Sequence, residues 1–424
     1  MLELNRNNLS PFVSAEEYDV LRPRLVAAHQ SLLQRSGAGN NYLGWRDLLS
    51  TPANALLAEL ESTAAEIRER ADVLVCIGIG GSYLGAQAVI AALTPHLTRP
   101  EGSPEILFAG HHLSGSYHQE LLRYLEGKSV YVNVISKSGT TLEPAIAFRL
   151  LRNWMHETFE DADRRIIVTT DPERGKLNEL RHVHGYRRYV IPADVGGRFS
   201  VLTPVGLLPI AAAGVDIRAL FRGAIEMCDL LAANDNNVAL EYAAARYLLH
   251  EKGYSVDALA VLEPRLYGIA RWWQQLFGES EGKNHRGLFP VMVQYTTDLH
   301  SIGQYMQDGQ RRVIETFLME RQVSDTLVVP EVDGPPDGLE YLTGQRLSAV
   351  NQKAYEGTAQ AHLSGGVPNM TITIDSLEAV SIGRLIYFFE HAVAVGGYLL
   401  GVNPFDQPGV EDYKAEMYKL LGRS

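Results

Sequence analysis

From Asp72 onward the chain alternates short apolar runs with segments of helical period, and that alternation restricts it to one broad architecture. The apolar runs fall near 72–77, 104–109, 129–135, 164–169 and 187–192, with a helix-length stretch between each pair. Strands joined through helices pair in parallel, so an α/β fold with a helix-flanked parallel sheet is expected. After a more helical stretch from Thr203 to about Lys252, the alternation resumes, with strands near Val256 to Val261, Leu288 to Val293, Val313 to Phe317 and Met370 to Ile374. Two α/β units are therefore expected, in keeping with 424 residues, more than one hydrophobic core usually serves. Ala15 to Arg35 and Ala53 to Ala71 read as amphipathic helices ahead of them, the first opened by Ser14 and Glu17 at capping-box spacing. Gly409 to Leu421 reads as a closing helix. The expected boundaries are 1–71 for the helical preface, 72–215 and 216–400 for the two units, and 401–424 for a C-terminal segment.

Composition narrows the partners. Hydrophobic residues make up 46% of the chain and charged residues 21%, an ordinary globular balance. A formal charge of −12, with no basic stripe to offset it, argues against nucleic acid or an anionic membrane. An anionic ligand would need locally positive loops. No basic leader runs into an apolar core, and no stretch of about eighteen uninterrupted apolar residues occurs, so a cytoplasmic protein is expected. Cys76 and Cys228 lie far apart in apolar surroundings and read as buried thiols. The histidine groups His111, His112 and His118, then His182 and His184, then His285 or His300 near acids, all lack metal-ligand spacing, so no metal is expected. A Gly-x-Ser-x-Gly elbow for covalent hydrolysis is also missing.

Two loops carry the chemistry. Ser136-Lys137-Ser138-Gly139-Thr140-Thr141 stands between an apolar run and the helix-like segment Leu142 to Trp154. At a helix start, unpaired N–H groups and the positive dipole end can grip a phosphate together with hydroxyls. The same construction appears where Val73 to Ile77 leads into Gly78-Ile79-Gly80-Gly81-Ser82; Ser82 can cap the next helix or meet a phosphate oxygen. Neither nucleotide fingerprint fits, since Gly-Lys-Ser/Thr is absent and Tyr83 stands where a dinucleotide loop needs glycine. Each loop alone is equally the turn chemistry of any helix start; the pair suggests one phosphorylated ligand.

Further along, Glu279 falls at the end of a helix led by Trp272 and Trp273, with Gly282 as its stop. A carboxylate at the negative end of the dipole gains basicity, as a general base requires, although Glu279 and Glu281 also read as solvated surface acids. Arg198, preceded by Gly196 and Gly197, can stabilise developing oxyanion charge or pair with a nearby acid. His300 follows the run Leu288 to Val293 and so lies near a strand's carboxyl end, where parallel sheets bind ligands. Gln407 and Lys414, before and within the closing helix, can meet phosphate and a sugar oxygen, although a lone Lys on a surface helix also reads as solvated.

Two long segments, Asp194-Val195-Gly196-Gly197-Arg198-Phe199-Ser200-Val201-Leu202-Thr203-Pro204-Val205-Gly206 and Gly397 through Phe405-Asp406-Gln407-Pro408-Gly409-Val410-Glu411 to Lys414, resemble the glucose-6-phosphate isomerase family in its shorter bacterial form. The likeness runs from about Asp72 to Lys414. It implies two sugar-isomerase domains and a reversible aldose–ketose isomerisation of glucose 6-phosphate and fructose 6-phosphate, in glycolysis and gluconeogenesis, without metal or other cofactor. By the resemblance, Ser82 beside Gly81, with Ser136, Lys137, Ser138 and Thr141, holds the phosphate, and Gln407 closes the pocket. Glu279 is implied as the base, Arg198 as the neighbour of the reacting carbons and Gln275 as a sugar contact, while His300 and Lys414 assist ring opening. The family's counterpart of His300 enters from the other subunit, which implies a homodimer with shared sites. Two other readings remain, an isomerase of broader specificity that takes mannose 6-phosphate, and a phosphosugar sensor without chemistry.

Overall fold

The computed structural model describes residues 1–50 and 53–422. Ten strands form two five-stranded sheets among the described residues. They are β1 Glu3–Asn5, β2 Val73–Ile77, β3 Glu105–Ala109, β4 Val130–Ile135, β5 Ile166–Thr170, β6 Arg187–Val190, β7 Val256–Val261, β8 Phe289–Gln294, β9 Val313–Glu320 and β10 Asn369–Ile374. The first sheet runs β3-β2-β4-β5-β6, all parallel. β2, β4 and β5 are buried on both faces, which is why they read as Val- and Ile-rich runs without polar alternation toward solvent.

The second sheet runs β1-β10-β9-β7-β8, parallel except for β1, which lies antiparallel to β10 with Glu3 opposite Thr373. All nine strands expected from the apolar runs are present, and β1 was not foreseen. Three residues are too few to display a period, and only tertiary pairing makes them a strand. The helical preface stands as Ala15–Leu33 and Asn54–Arg70. Ser14 and Glu17 complete a capping box, each side chain accepting the other's N–H at 3.3 and 2.9 Å.

The stretch from Thr203 divides into helices Pro204–Ala212, Ile217–Ala232 and Val238–Glu251, whose side-chain caps Thr203, Asp216 and Asn237 explain the breaks. Against the last two packs Ala379–Leu400, whose 22 residues and mean hydropathy of 1.2 suffice by length and composition to cross a membrane. Here 83% of its apolar window is buried in the protein, and it carries Arg384, Glu390 and His391. A Cβ at Gly383 would lie 1.9 Å from the Leu220 carbonyl oxygen, so glycine is what lets this helix touch Ile217–Ala232. Cys76 and Cys228 are both free and buried, as their surroundings implied.

Glu390 sits in the middle of this core helix at 1% exposure, and neither carboxyl oxygen has a protein hydrogen-bond partner. Burial pushes its carboxyl well above the usual carboxylate range. Between the unfolded value of about 4.3 and the raised folded one, the native chain keeps a proton that the unfolded chain has released. Stability therefore falls as pH rises through that window. Glu390→Met, which needs no proton, is expected to raise Tm more at about pH 8 than at about pH 5, followed by circular dichroism; an equal shift at both would exclude this carboxyl as the cause.

Candidate active site

The first cradle follows β2. Gly80–Ser82 forms a single 3-10 turn, and a Cβ at Gly81 would lie 2.1 Å from the Gly197 carbonyl carbon, so two glycine-bearing turns lie directly against each other. Gly81 is thus buried as a contact between backbones. The helix Leu84–Leu93 starts without a side-chain cap, which leaves the Ser82 hydroxyl outside that role.

The second cradle joins β4 to the helix Leu142–Thr158, with Thr141 at the N-cap making no side-chain capping bond. Ser136 Oγ accepts from the Gly139 N–H at 3.0 Å, and Ser138 Oγ from the Thr140 N–H at 3.1 Å, so the loop braces itself. Lys137 Nζ donates to the Ala193 carbonyl at 2.8 Å, a neutral acceptor that leaves its charge in place. Ser82, Ser136, Lys137, Ser138 and Thr141 line one cavity of about 470 Å³. Asp171 and Arg174 complete its wall. Neither was picked from sequence, although both follow β5 at the carboxyl edge where such residues gather. The Glu173 and Arg174 N–H groups hold the Asp171 carboxyl below its ordinary value.

Beside this cavity the helix Tyr267–Glu281 presents Gln275 and Glu279 one turn apart on one face. Gly80 faces the Gln275 amide, so the same turn that offers Ser82 to the cavity borders this second cluster. Gln275 Nε2 donates to Glu279 Oε1 at 2.9 Å, and Arg198 Nη1 donates to Glu279 Oε2 at 3.2 Å. Arg198, on the 3-10 turn Gly197–Phe199, is 1% exposed. Its Nε reaches Ser280 Oγ at 2.8 Å, Nη1 also reaches Gln407 Oε1 at 3.2 Å, and Nη2 reaches the Pro404 and Asp406 carbonyls at 2.7 and 3.0 Å. Burial pushes this guanidinium below its ordinary value, with Glu279 and Asp406 opposing. Trp272 Nε1 fixes the turn from behind by donating to the Arg198 carbonyl at 3.1 Å.

Lys283 was also missed. Burial lowers its pKa, and it bridges the helix end to the 403–406 loop through the Ser280 and Asn403 carbonyls and an ion pair with Asp406 at 2.9 Å. Glu281 is no surface acid: it is 1% exposed and paired with Arg246.

Arg198, Glu279, Gln275 and Gln407 thus form one cluster and the hydroxyl loop its neighbour. Lys414 stands on the helix Gly409–Leu420 beyond Gln407, where its Nζ donates to Glu411 Oε1 at 2.8 Å and that contact raises its pKa. His300 lies outside both clusters. Gly278 packs on Pro290 at the amino end of β8, whereas the exposed His300 follows its carboxyl end, so a six-residue strand, about 20 Å long, separates it from Glu279. No group of three or more metal-ligating side chains is assembled among the described residues.

Residues 61–320 and 342–421 match the family described as Phosphoglucose isomerase. A glucose-6-phosphate isomerase from Shouchella clausii is 46% identical over 421 residues, 97% of this chain and 93% of that protein. One from Fusobacterium nucleatum is 47% identical over 430 residues, 100% of this chain and 96% of its own. A solved hypothetical protein from Thermus thermophilus superposes with a TM-score of 0.90 at 31% identity, over 99% of this chain and 100% of that one. A glucose-6-phosphate isomerase from Chlamydia trachomatis, at 23% identity and a TM-score of 0.72 over 87% of this chain and 73% of that one, shares the fold. The chain, with its two helix-flanked sheets and its Arg198–Glu279 cleft, belongs to the phosphoglucose isomerase family.

Proposed function

We propose that the protein interconverts glucose 6-phosphate and fructose 6-phosphate, as the names of its relatives state of them. The observation that carries this is the Glu279–Arg198 pair at 3.2 Å, a carboxylate and a buried cation beside a hydroxyl-lined cavity. Aldose–ketose exchange moves one proton between adjacent carbons while charge builds on the neighbouring oxygens, and these two groups suit the two needs.

In this reading the phosphate lies on Ser82, Ser136, Ser138 and Thr141, with Lys137 supplying charge. The two Nη1 contacts, to Glu279 and Gln407, are the longest that Arg198 makes. Substrate oxygens would displace these first, taking the cation for themselves and freeing Glu279 to move the proton between C2 and C1 through a cis-enediol. Gln275 steadies the other oxygen of the base. In the C-terminal segment 401–424, whose last two residues lie outside the described residues, Gln407 completes the site behind two sugar-isomerase domains, 72–215 and 216–400. The sensor reading needs no aligned base, and the Gln275–Glu279–Arg198 arrangement favours the enzyme.

Ring opening falls to Lys414 and to the partner subunit's His300, in a homodimer. The length of β8 between Glu279 and His300 supports this, as do the large apolar side chains Tyr305, Leu327, Val332 and Tyr341, between 50% and 72% exposed beyond His300. A phosphorylated intermediate of glycolysis as substrate also supports a cytoplasmic location.

Purified protein is expected to convert fructose 6-phosphate to glucose 6-phosphate, read through a glucose-6-phosphate-specific dehydrogenase, at a rate unchanged by a chelator. Binding of fructose 6-phosphate without turnover would favour the sensor. Glu279→Gln is expected to lower kcat by about 10²–10⁴-fold while substrate binding survives; retained kcat would remove Glu279 as the base.

Mixing Glu279→Gln subunits with His300→Ala subunits tests the shared site. One site of the mixed dimer then combines an intact Glu279 with an intact His300, so activity is expected to return from two inactive parents. A mixture of two inactive parents that stays inactive would assign His300 to its own chain's site, and an active His300→Ala parent would assign it to no site.

A further inference from the structure

Two residues past Glu279, a second carboxylate of the same helix turn points into the core. Arg246 grips Glu281 with both prongs, Nη1 to Oε1 at 2.7 Å and Nη2 to Oε2 at 2.9 Å. Its Nε reaches Asp257 Oδ2 on β7 at 2.6 Å. Arg246, on the Val238–Glu251 helix, is 2% exposed, and Asp257 is fully buried. Burial works against the charge on Arg246, but Glu281 and Asp257 outweigh it and hold the guanidinium above its ordinary value. Gly396 leaves the necessary room on the Ala379–Leu400 helix, since a Cβ there would lie 2.4 Å from Glu281 Oε1. A helix, a strand and a glycine notch in a second helix thus converge on the last turn of Tyr267–Glu281.

We propose that Arg246, acting through Glu281, is a positioning residue that fixes this turn and with it the Glu279 carboxylate; the inference rests on the reading of Glu279 as the base. Last turns of helices lack half of their hydrogen bonds and fray. A base that serves two adjacent carbons tolerates little displacement. On the cleft side Glu279 is held by Gln275 and by Arg198, and the Arg198 contact is the one a substrate oxygen takes over. When that contact goes, the Arg246–Glu281 pair on the core side stays, because no substrate reaches it. Planar two-pronged pairing fixes orientation as well as distance. Since Arg246 faces two carboxylates, its charge is spent within the core, and its influence on Glu279 is geometric.

Glu281→Gln keeps the side-chain volume and one acceptor while loosening the grip of Arg246. The expected result is a fall in kcat of about tenfold to a hundredfold, with KM for fructose 6-phosphate within about twofold because the phosphate cradle is untouched. The triple variant Arg246→Met, Asp257→Leu and Glu281→Met replaces the whole buried triad with apolar groups, so Tm is expected to recover while kcat stays low. A wild-type protein without turnover would sink the isomerase reading itself. If the wild type turns over and Glu281→Gln keeps its kcat, or if the triple variant regains kcat together with Tm, the triad only packs the core and the positioning role is overturned. Should Glu281→Gln fail to fold, Arg246→Lys, which keeps the charge but not the fork, is read by the same split between kcat and KM.

Discussion

The cleft depends on one buried guanidinium. Arg198 has five N–H groups, and each meets an acceptor: Ser280 and Glu279 on the helix Tyr267–Glu281, and Gln407 with two carbonyls on the 404–407 loop. Its own turn is wedged against Gly81 after β2. Three stretches far apart in the chain therefore share one cation, and none can shift without unpairing a buried donor. Breaking such a buried pair typically costs about 3–5 kcal/mol. In the proposed reading the group that closes the cleft is also the one that would face the reacting oxygens.

Charge is handled locally in a chain of formal charge −12. Lys137 Nζ donates to a neutral carbonyl, and Arg174 and Asp171 line the same cavity. Around the helix end the cations are instead matched, Lys283 with Asp406 and Arg246 with Glu281 and Asp257. Beside the hydroxyl loop Lys137 is held by a carbonyl, while at the helix end Lys283 and Arg246 are held by carboxylates. That division lets an acidic protein hold an anionic substrate without a basic surface.

Much of this was legible in sequence because it is local. Apolar runs marked nine strands, and strand–hydroxyl–helix order marked the cradle lined by Ser82, Ser136, Lys137, Ser138 and Thr141. What escaped is what tertiary packing decides. The three residues of β1 become a strand only against β10. Glu279 and Glu281 are the same residue type two positions apart, yet one faces the cleft and the other is sealed on Arg246, 35 residues upstream in sequence. No local pattern distinguishes them. Asp171 and Arg174 enter the cavity because β5 lies beside β4, an adjacency set by sheet order. His300 was placed at a carboxyl edge correctly, but which site that edge serves is a question of assembly.

The two long contacts of Arg198 also suggest how binding and chemistry are linked. In the unliganded cleft Glu279 is paired with the cation and hydrogen-bonded by Gln275, so both of its oxygens are occupied. In the proposed reading another oxygen takes its place on Arg198 before that carboxylate oxygen can face a substrate carbon. The hydroxyl loop would provide the binding energy for that exchange if, as proposed, it grips the phosphate, a part of the substrate that does not react. A sugar lacking the phosphate would meet the same cation and the same base with nothing to hold it while the ion pair opens. Selectivity for phosphorylated sugars and release of the base then follow from one arrangement, in which the strong contacts of Arg198 keep the cleft closed and its weak ones are left for the substrate.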